Sequence, residues 1–184
     1  NMTTLVTGAH TATHNVPALA FYDAATDRRV RNLQNYDVDT IGEVYQRAGL
    51  ITAAVKQRKL QNRGADFMLD GGTISETKND AVNLILNEDP DLLVVLFNET
   101  DSVAHQYGIN SSQIKATVEE IDDAIGSIME ALEQKGVLED TNIIVASDHG
   151  MDTVNHNMTS ELIAALERTG IPYENAALDM GPFS

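Results

Sequence analysis

Two apolar runs, Leu92-Leu93-Val94-Val95-Leu96-Phe97 and Asn142-Ile143-Ile144-Val145-Ala146, most constrain what this chain can fold into. Neither alternates polar with apolar residues, so each expects cover on both faces, as strands of a parallel sheet receive from flanking helices. Between them Ile114, Val118, Ile121, Ile125, Ile128, Met129 and Leu132 step by three and four. That spacing is the buried stripe of one long helix, opening near Ser111 or Ser112 and stopped by Gly136. Glu119, Glu120, Asp122, Asp123 and Glu130 fill its solvated face. Strand, helix, strand is a crossover that makes the two strands parallel, and such crossovers are right-handed.

The alternation extends upstream. Residues 40–48 read as a short helix stopped by Gly49, Leu50 to Val55 as a buried strand, and Ser75 as the N-cap of a helix reaching about Asn87. Phe21-Tyr22-Asp23 opens a β-rich excursion, and a last amphipathic helix opens at Thr159-Ser160-Glu161 and stops at Gly170. The expected fold is α/β, with a mainly parallel sheet flanked by helices. The 184 residues are read as one domain spanning 1–184. Asn1 in place of an initiator Met, and the closing Met180-Gly181-Pro182-Phe183-Ser184, lead us to expect a partial domain cut at both ends.

Composition removes several classes. With 12 Lys and Arg against 28 Asp and Glu, the formal charge is −16, a field that opposes nucleic-acid backbones and anionic membrane surfaces. No nucleic-acid binding is expected. No apolar run approaches the ~20 residues of a membrane helix. The chain has no cysteine, which excludes disulfides, thiolate metal sites and a cysteine nucleophile. None of this fixes a compartment.

Ligands in such sheets bind beyond the C-terminal ends of the strands. The first run leads into Asn98-Glu99-Thr100-Asp101-Ser102-Val103-Ala104-His105, and the second into Ser147-Asp148-His149-Gly150-Met151. Parallel strands bring both Asp/His couples to one edge of the sheet. Carboxylate and neutral imidazole are what a divalent transition metal accepts when thiolate is absent. Asp101 and His105, four apart, can meet one ion from a helical turn or a loop. Asp148 and His149 can do so only where the chain turns, which Gly150 permits. Two couples on one rim suggest a two-metal site, the arrangement that clamps both oxygens of an in-line displacement at phosphorus. Spacing alone does not select them, since Asp152 and His156 repeat the Asp-x-x-x-His pattern. We read that second match as a polar loop.

At these residues the sequence resembles the alkaline phosphatase superfamily. Asp101-Ser102-Val103-Ala104-His105-Gln106-Tyr107-Gly108 is similar to its Asp-x-x-x-His-x-x-Gly element, and Ser147-Asp148-His149-Gly150-Met151 to its Ser-Asp-His-Gly-Met element. The branch it resembles is the type I phosphodiesterase/nucleotide pyrophosphatase group, which includes phosphonoacetate hydrolase. Leu5-Val6-Thr7-Gly8 is similar to the segment that follows the nucleophile there, so the resemblance runs from Asn1 to about Met151. It implies an alkaline phosphatase-like fold and two zinc ions, with manganese as the alternative. Asp101 and His105 would hold one ion, Asp148 and His149 the other. It implies a Thr or Ser nucleophile at a helix N-terminus, which alignment on Thr7-Gly8 puts just ahead of Asn1. Thr3 and Thr4 are near but misplaced, so no catalytic residue is assignable within the chain. The family's first ligating Asp and its downstream His have no counterpart, and this span alone is expected to bind metal weakly and turn over little.

The resemblance implies a hydrolase of small phosphoric esters, either a phosphodiesterase or nucleotide pyrophosphatase or a phosphatase, acting on a phosphate or phosphonate ester. Many relatives act outside the cytoplasm. Carbon–phosphorus cleavage of phosphonoacetate is an alternative, because Val55-Lys56-Gln57-Arg58-Lys59-Leu60 resembles the segment that faces the substrate carboxylate. We favour a surface loop for that segment. A non-catalytic binding module on the same scaffold also fits the pattern, as does a mutase or sulfatase of the superfamily. His14 is read as a structural helix-end residue.

Overall fold

The computed structural model describes residues 2–16, 20–23, 26–31, 36–153, 164–165 and 167–170. The chain divides into two compact units, one of Asn1–Pro17 with Leu33–Met151 and one of Ala18–Asn32 with Asp152–Ser184.

The first unit carries α1 (Met2–Thr7), α2 (Thr11–His14), α3 (Ile41–Arg47), β3 (Thr52–Val55), β4 (Phe67–Leu69), α4 (Ile74–Glu88), β5 (Leu92–Val95), α5 (Glu99–Tyr107) and α6 (Ser112–Lys135). The second carries the hairpin of β1 (Ala20–Asp23) and β2 (Arg28–Arg31), paired antiparallel from Ala20↔Arg31 to Asp23↔Arg28. It also contains helical residues 164–165 and 167–168, followed by Gly170 at φ +74. The expected start of that last helix, at 159–161, lies outside the described residues.

The sheet of the first unit is parallel, in the order β4-β3-β5, with Ala53 opposite both Phe67 and Leu93. Successive side chains of β3 point to opposite faces. Ala53 and Val55 join Ala81 and Leu84 of α4, with Ile128 of α6 packed against them. Ala54 points the other way, to Val6 of α1 and Leu60. Helices on both faces of a parallel sheet are the α/β arrangement expected from the sequence. All four β3 residues are buried. Small residues at 53 and 54 let helices approach the sheet closely.

Helix ends follow local chemistry. Thr40 caps α3 and Thr73 caps α4, each in a reciprocal capping box, with Glu43 and Glu76 respectively. Ser111 caps α6, and Gly136 ends it in a left-handed conformation. The cap of α4 is therefore Thr73 and not Ser75, which lies inside the first turn. The buried positions of α6 are Ala124 and Ala131, while Val118 and Met129 of the apolar stripe are 50% and 38% exposed.

Two strand expectations change. β5 is an edge strand of the described sheet, and its residues are only half-buried. Residues 141–147 join no ladder, and Ile144 and Val145 are 86% and 73% exposed. Their β-propensity is real, but a strand state also requires a neighbouring strand to take its N–H and C=O groups. Among the described residues none pairs with them.

α3 is locked to the turn before β4. Thr40 Oγ1 donates to Arg63 O at 2.5 Å, and Thr52 Oγ1 donates to Gly64 O at 2.7 Å. Arg63 forks onto Glu43 at 2.8 and 3.1 Å, and also donates to the carbonyls of Tyr36 and Val38. The Arg63 hydrogen bond holds the Glu43 carboxyl below its ordinary range. Gly42 and Gly64 meet backbone to backbone in this joint.

Candidate metal centre

Three residues separate the end of β5 from the start of α5, so the first turn of α5 stands on the C-terminal rim of the sheet. Asp101 sits in that first turn, where the helix dipole favours a carboxylate, and His105 in the last. They share a face at i and i+4, with His105 Nε2 3.6 Å from Asp101 Oδ1. Of the helical turn and the loop, the structure shows the helix.

Asp148 and His149 follow residues 141–147. Their turn is held by Ser147 Oγ, which donates to His149 O at 2.6 Å. Gly150 is not among the glycines with positive φ, so its conformational freedom is not what makes the turn. His149 Nε2 lies 3.7 Å from Asp148 Oδ2 and 4.0 Å from Asp101 Oδ1. Asp101 thus stands between two imidazoles, one from each couple. All four side chains are accessible, between 35% and 49% exposed.

The tautomer of His149 can be read from its partner. Nδ1 lies 2.9 Å from Gly150 O, an acceptor only, so Nδ1 carries the proton. The other ring nitrogen, Nε2, is the one near the carboxylates of Asp101 and Asp148. Carbonyl-anchored imidazole is the usual outer support of a metal-ligating histidine. The donor chemistry therefore fits a divalent transition metal. The arrangement is one of pairs: among the described residues no group of three or more His, Asp and Glu side chains is set to hold a metal ion.

The other residues singled out are placed as follows. Asp152 accepts from the Thr153 N–H, and His156 lies outside the described residues. His14 is buried at the end of α2, where Nδ1 accepts from the Val16 N–H. Its Nε2–H is therefore directed at Thr4 Oγ1, 3.1 Å away, so His14 is not a base for Thr4. The basic segment after β3 forms a 3-10 turn over Arg58–Leu60. There Arg58 approaches Asp70 at 3.7 Å, and burial pushes the Lys59 ammonium pKa down. Lys56 is turned onto Glu99, a rim contact between segments 43 residues apart that no local pattern announces.

Comparison with known proteins agrees with the fold. The type I phosphodiesterase / nucleotide pyrophosphatase family matches residues 69–178, more than half of the chain. The chain belongs to this family, within the alkaline phosphatase superfamily. It is 26% identical to mouse ectonucleotide pyrophosphatase/phosphodiesterase family member 7, over 97% of this chain and 46% of that protein. It is 23% identical to a human bis(5'-adenosyl)-triphosphatase, over 92% of this chain and 41% of that protein. Phosphonoacetate hydrolase from Sinorhizobium meliloti 1021, solved with phosphonoformate, superposes with a TM-score of 0.56 at 18% identity. That superposition covers 70% of this chain and 41% of the hydrolase. The chain spans less than half the length of these relatives.

Proposed function

We propose that this chain is the metal-holding part of a phosphoric-ester hydrolase of the phosphodiesterase/nucleotide pyrophosphatase type. Asp101 and His105 would hold one divalent ion, zinc or alternatively manganese, and Asp148 and His149 a second. The single observation that carries the reading is the convergence of His149 Nε2 on the carboxylates of Asp101 and Asp148, at 4.0 and 3.7 Å. When bound, such ions neutralise phosphoryl oxygens and lower the pKa of water. The chain's own residues orient the donors. The Gly150 carbonyl fixes the His149 tautomer, Ser147 holds the turn, and α5 presents Asp101 and His105 on one face. The nucleophile, a Thr or Ser, is proposed to lie outside this chain. Diester substrates are favoured over phosphonoacetate because Lys56, one basic group that could meet a substrate carboxylate, is engaged with Glu99.

The test is the full-length protein supplied with zinc and assayed on bis-p-nitrophenyl phosphate, p-nitrophenyl phosphate and phosphonoacetate. Diesterase activity is expected, with Asp148→Ala and His149→Ala each lowering kcat by more than the ~10–100-fold typical of outer-shell losses. Both variants should keep wild-type circular dichroism. Full activity in either variant refutes the metal assignment. Activity on none of the three substrates refutes the hydrolase.

A further inference from the structure

Three features of the rim beside Asp101 are unfavourable for stability. Lys56, directly after β3, has φ +60, a left-handed conformation unusual for a residue with a long side chain. Its ammonium, on a side chain only 14% exposed, donates to Glu99 Oε1 at 2.6 Å and to Gly72 O at 2.8 Å. Glu99 Oε2 is buried, and among the described residues no donor reaches it. Burying a charged pair gives little over an apolar pair of the same shape, and an orphaned carboxylate oxygen makes it worse. Strain and unsatisfied polarity of this kind gather at functional positions.

α5 has a specific need that the pair meets. α3, α4 and α6 are each held at the N-terminus by a side-chain cap, but the Asn98 side chain makes no cap bond to α5. Glu99 is the first residue of α5, so Lys56 ties that first turn to the end of β3. Lys56 is itself gripped. A Cβ at Gly71 would stand 2.7 Å from Lys56 Cγ, and the Lys56 N–H donates to Leu69 O at 2.9 Å. Residues 99 and 101 lie ~200° apart around a helix. The tie therefore leaves the Asp101 face open.

We propose that Lys56 and Glu99 are positioning residues, which hold the Asp101 carboxylate at its station facing His149. The inference rests on the metal-binding reading above and goes beyond it, since neither residue is a proposed ligand.

The experiment is calorimetric titration of zinc into the metal-free full-length protein, with the melting temperature of the metal-free form measured alongside. Lys56→Met and Glu99→Gln are each expected to weaken zinc binding ~10–100-fold, with Lys56→Arg restoring most of it. Zinc affinity unchanged in both variants overturns the proposal, and so does a lowered melting temperature with no loss of affinity. A wild-type protein that binds no zinc overturns the metal reading itself, and this inference with it.

Discussion

Replacing Gly42 with Ala tests the tightest joint in the first unit. The added Cβ would lie 2.8 Å from the carbonyl carbon of Gly64 and closer still to its oxygen. Both are backbone atoms, so no side-chain rotation relieves the overlap. Either α3 lifts away or the 63–64 turn retreats. Overpacking of this kind costs ~1–3 kcal/mol. Separation also weakens the Thr40–Arg63 hydrogen bond and the Arg63–Glu43 fork, adding roughly 1–3 kcal/mol. The helical preference of Ala returns up to ~1 kcal/mol. The net loss is about 1–6 kcal/mol, a large fraction of a typical domain's ~5–15 kcal/mol. Gly126 in α6 is the control, since a Cβ there meets nothing within 4 Å. Gly126→Ala should gain up to ~1 kcal/mol. At roughly 2–4 °C per kcal/mol for a chain of this size, the two variants should melt on opposite sides of wild type. Differential scanning calorimetry reads this directly. A Gly42→Ala protein melting within about 2 °C of wild type would refute the backbone-on-backbone argument.

Two further outcomes follow from other contacts. Lys135 of α6 donates to Ile85 O at 2.8 Å and pairs with Asp89 at 2.8 Å, closing the C-terminus of α4. Lys135→Met should lower stability by about 1–2 kcal/mol in urea titration. On the acid side, Glu43 is held low chiefly by Arg63, and Asp66 chiefly by the Thr52 N–H. A depressed folded pKa gives stability that is present above the unfolded value and lost as pH falls through the folded one. Between about pH 5 and about pH 3 the wild type should therefore lose stability faster than Glu43→Gln or Asp66→Asn. Comparing the slopes of their urea midpoints removes the opposing relief of self-repulsion in a chain of net charge −16.

The elements legible in the sequence were those with strong local signals. α6 has its Ser111 cap, its steps of three and four and its Gly136 stop, and α3 ends just before Gly49 at φ +77. β4, only three residues long, is too short to show a period. The cap of α4 falls at Thr73 rather than Ser75, although Thr73 and Glu76 carry the capping-box spacing in plain view. The fate of 142–146 could not be read locally, because apolar β-branched residues report a preference and not a partner. At the rim, the rule that ligands meet strand ends picked out Asp101 and His105 after β5, and Asp148 and His149 as candidates after a strand that the described residues do not form. Lys56 and Glu99 escaped it because their contact joins segments 43 residues apart.

In a chain that spans less than half of its relatives' length, the exposed run Ile143-Ile144-Val145 bears on how this span behaves alone. A short, uncharged, β-branched stretch with open backbone groups is a template for intermolecular cross-β stacking. Acidic residues flank it at Asp140 and Asp148, and charges bordering such a stretch act as gatekeepers against self-association. Neutral variants of Asp148 in this span alone should therefore aggregate sooner than neutral variants of His105, which borders no such stretch.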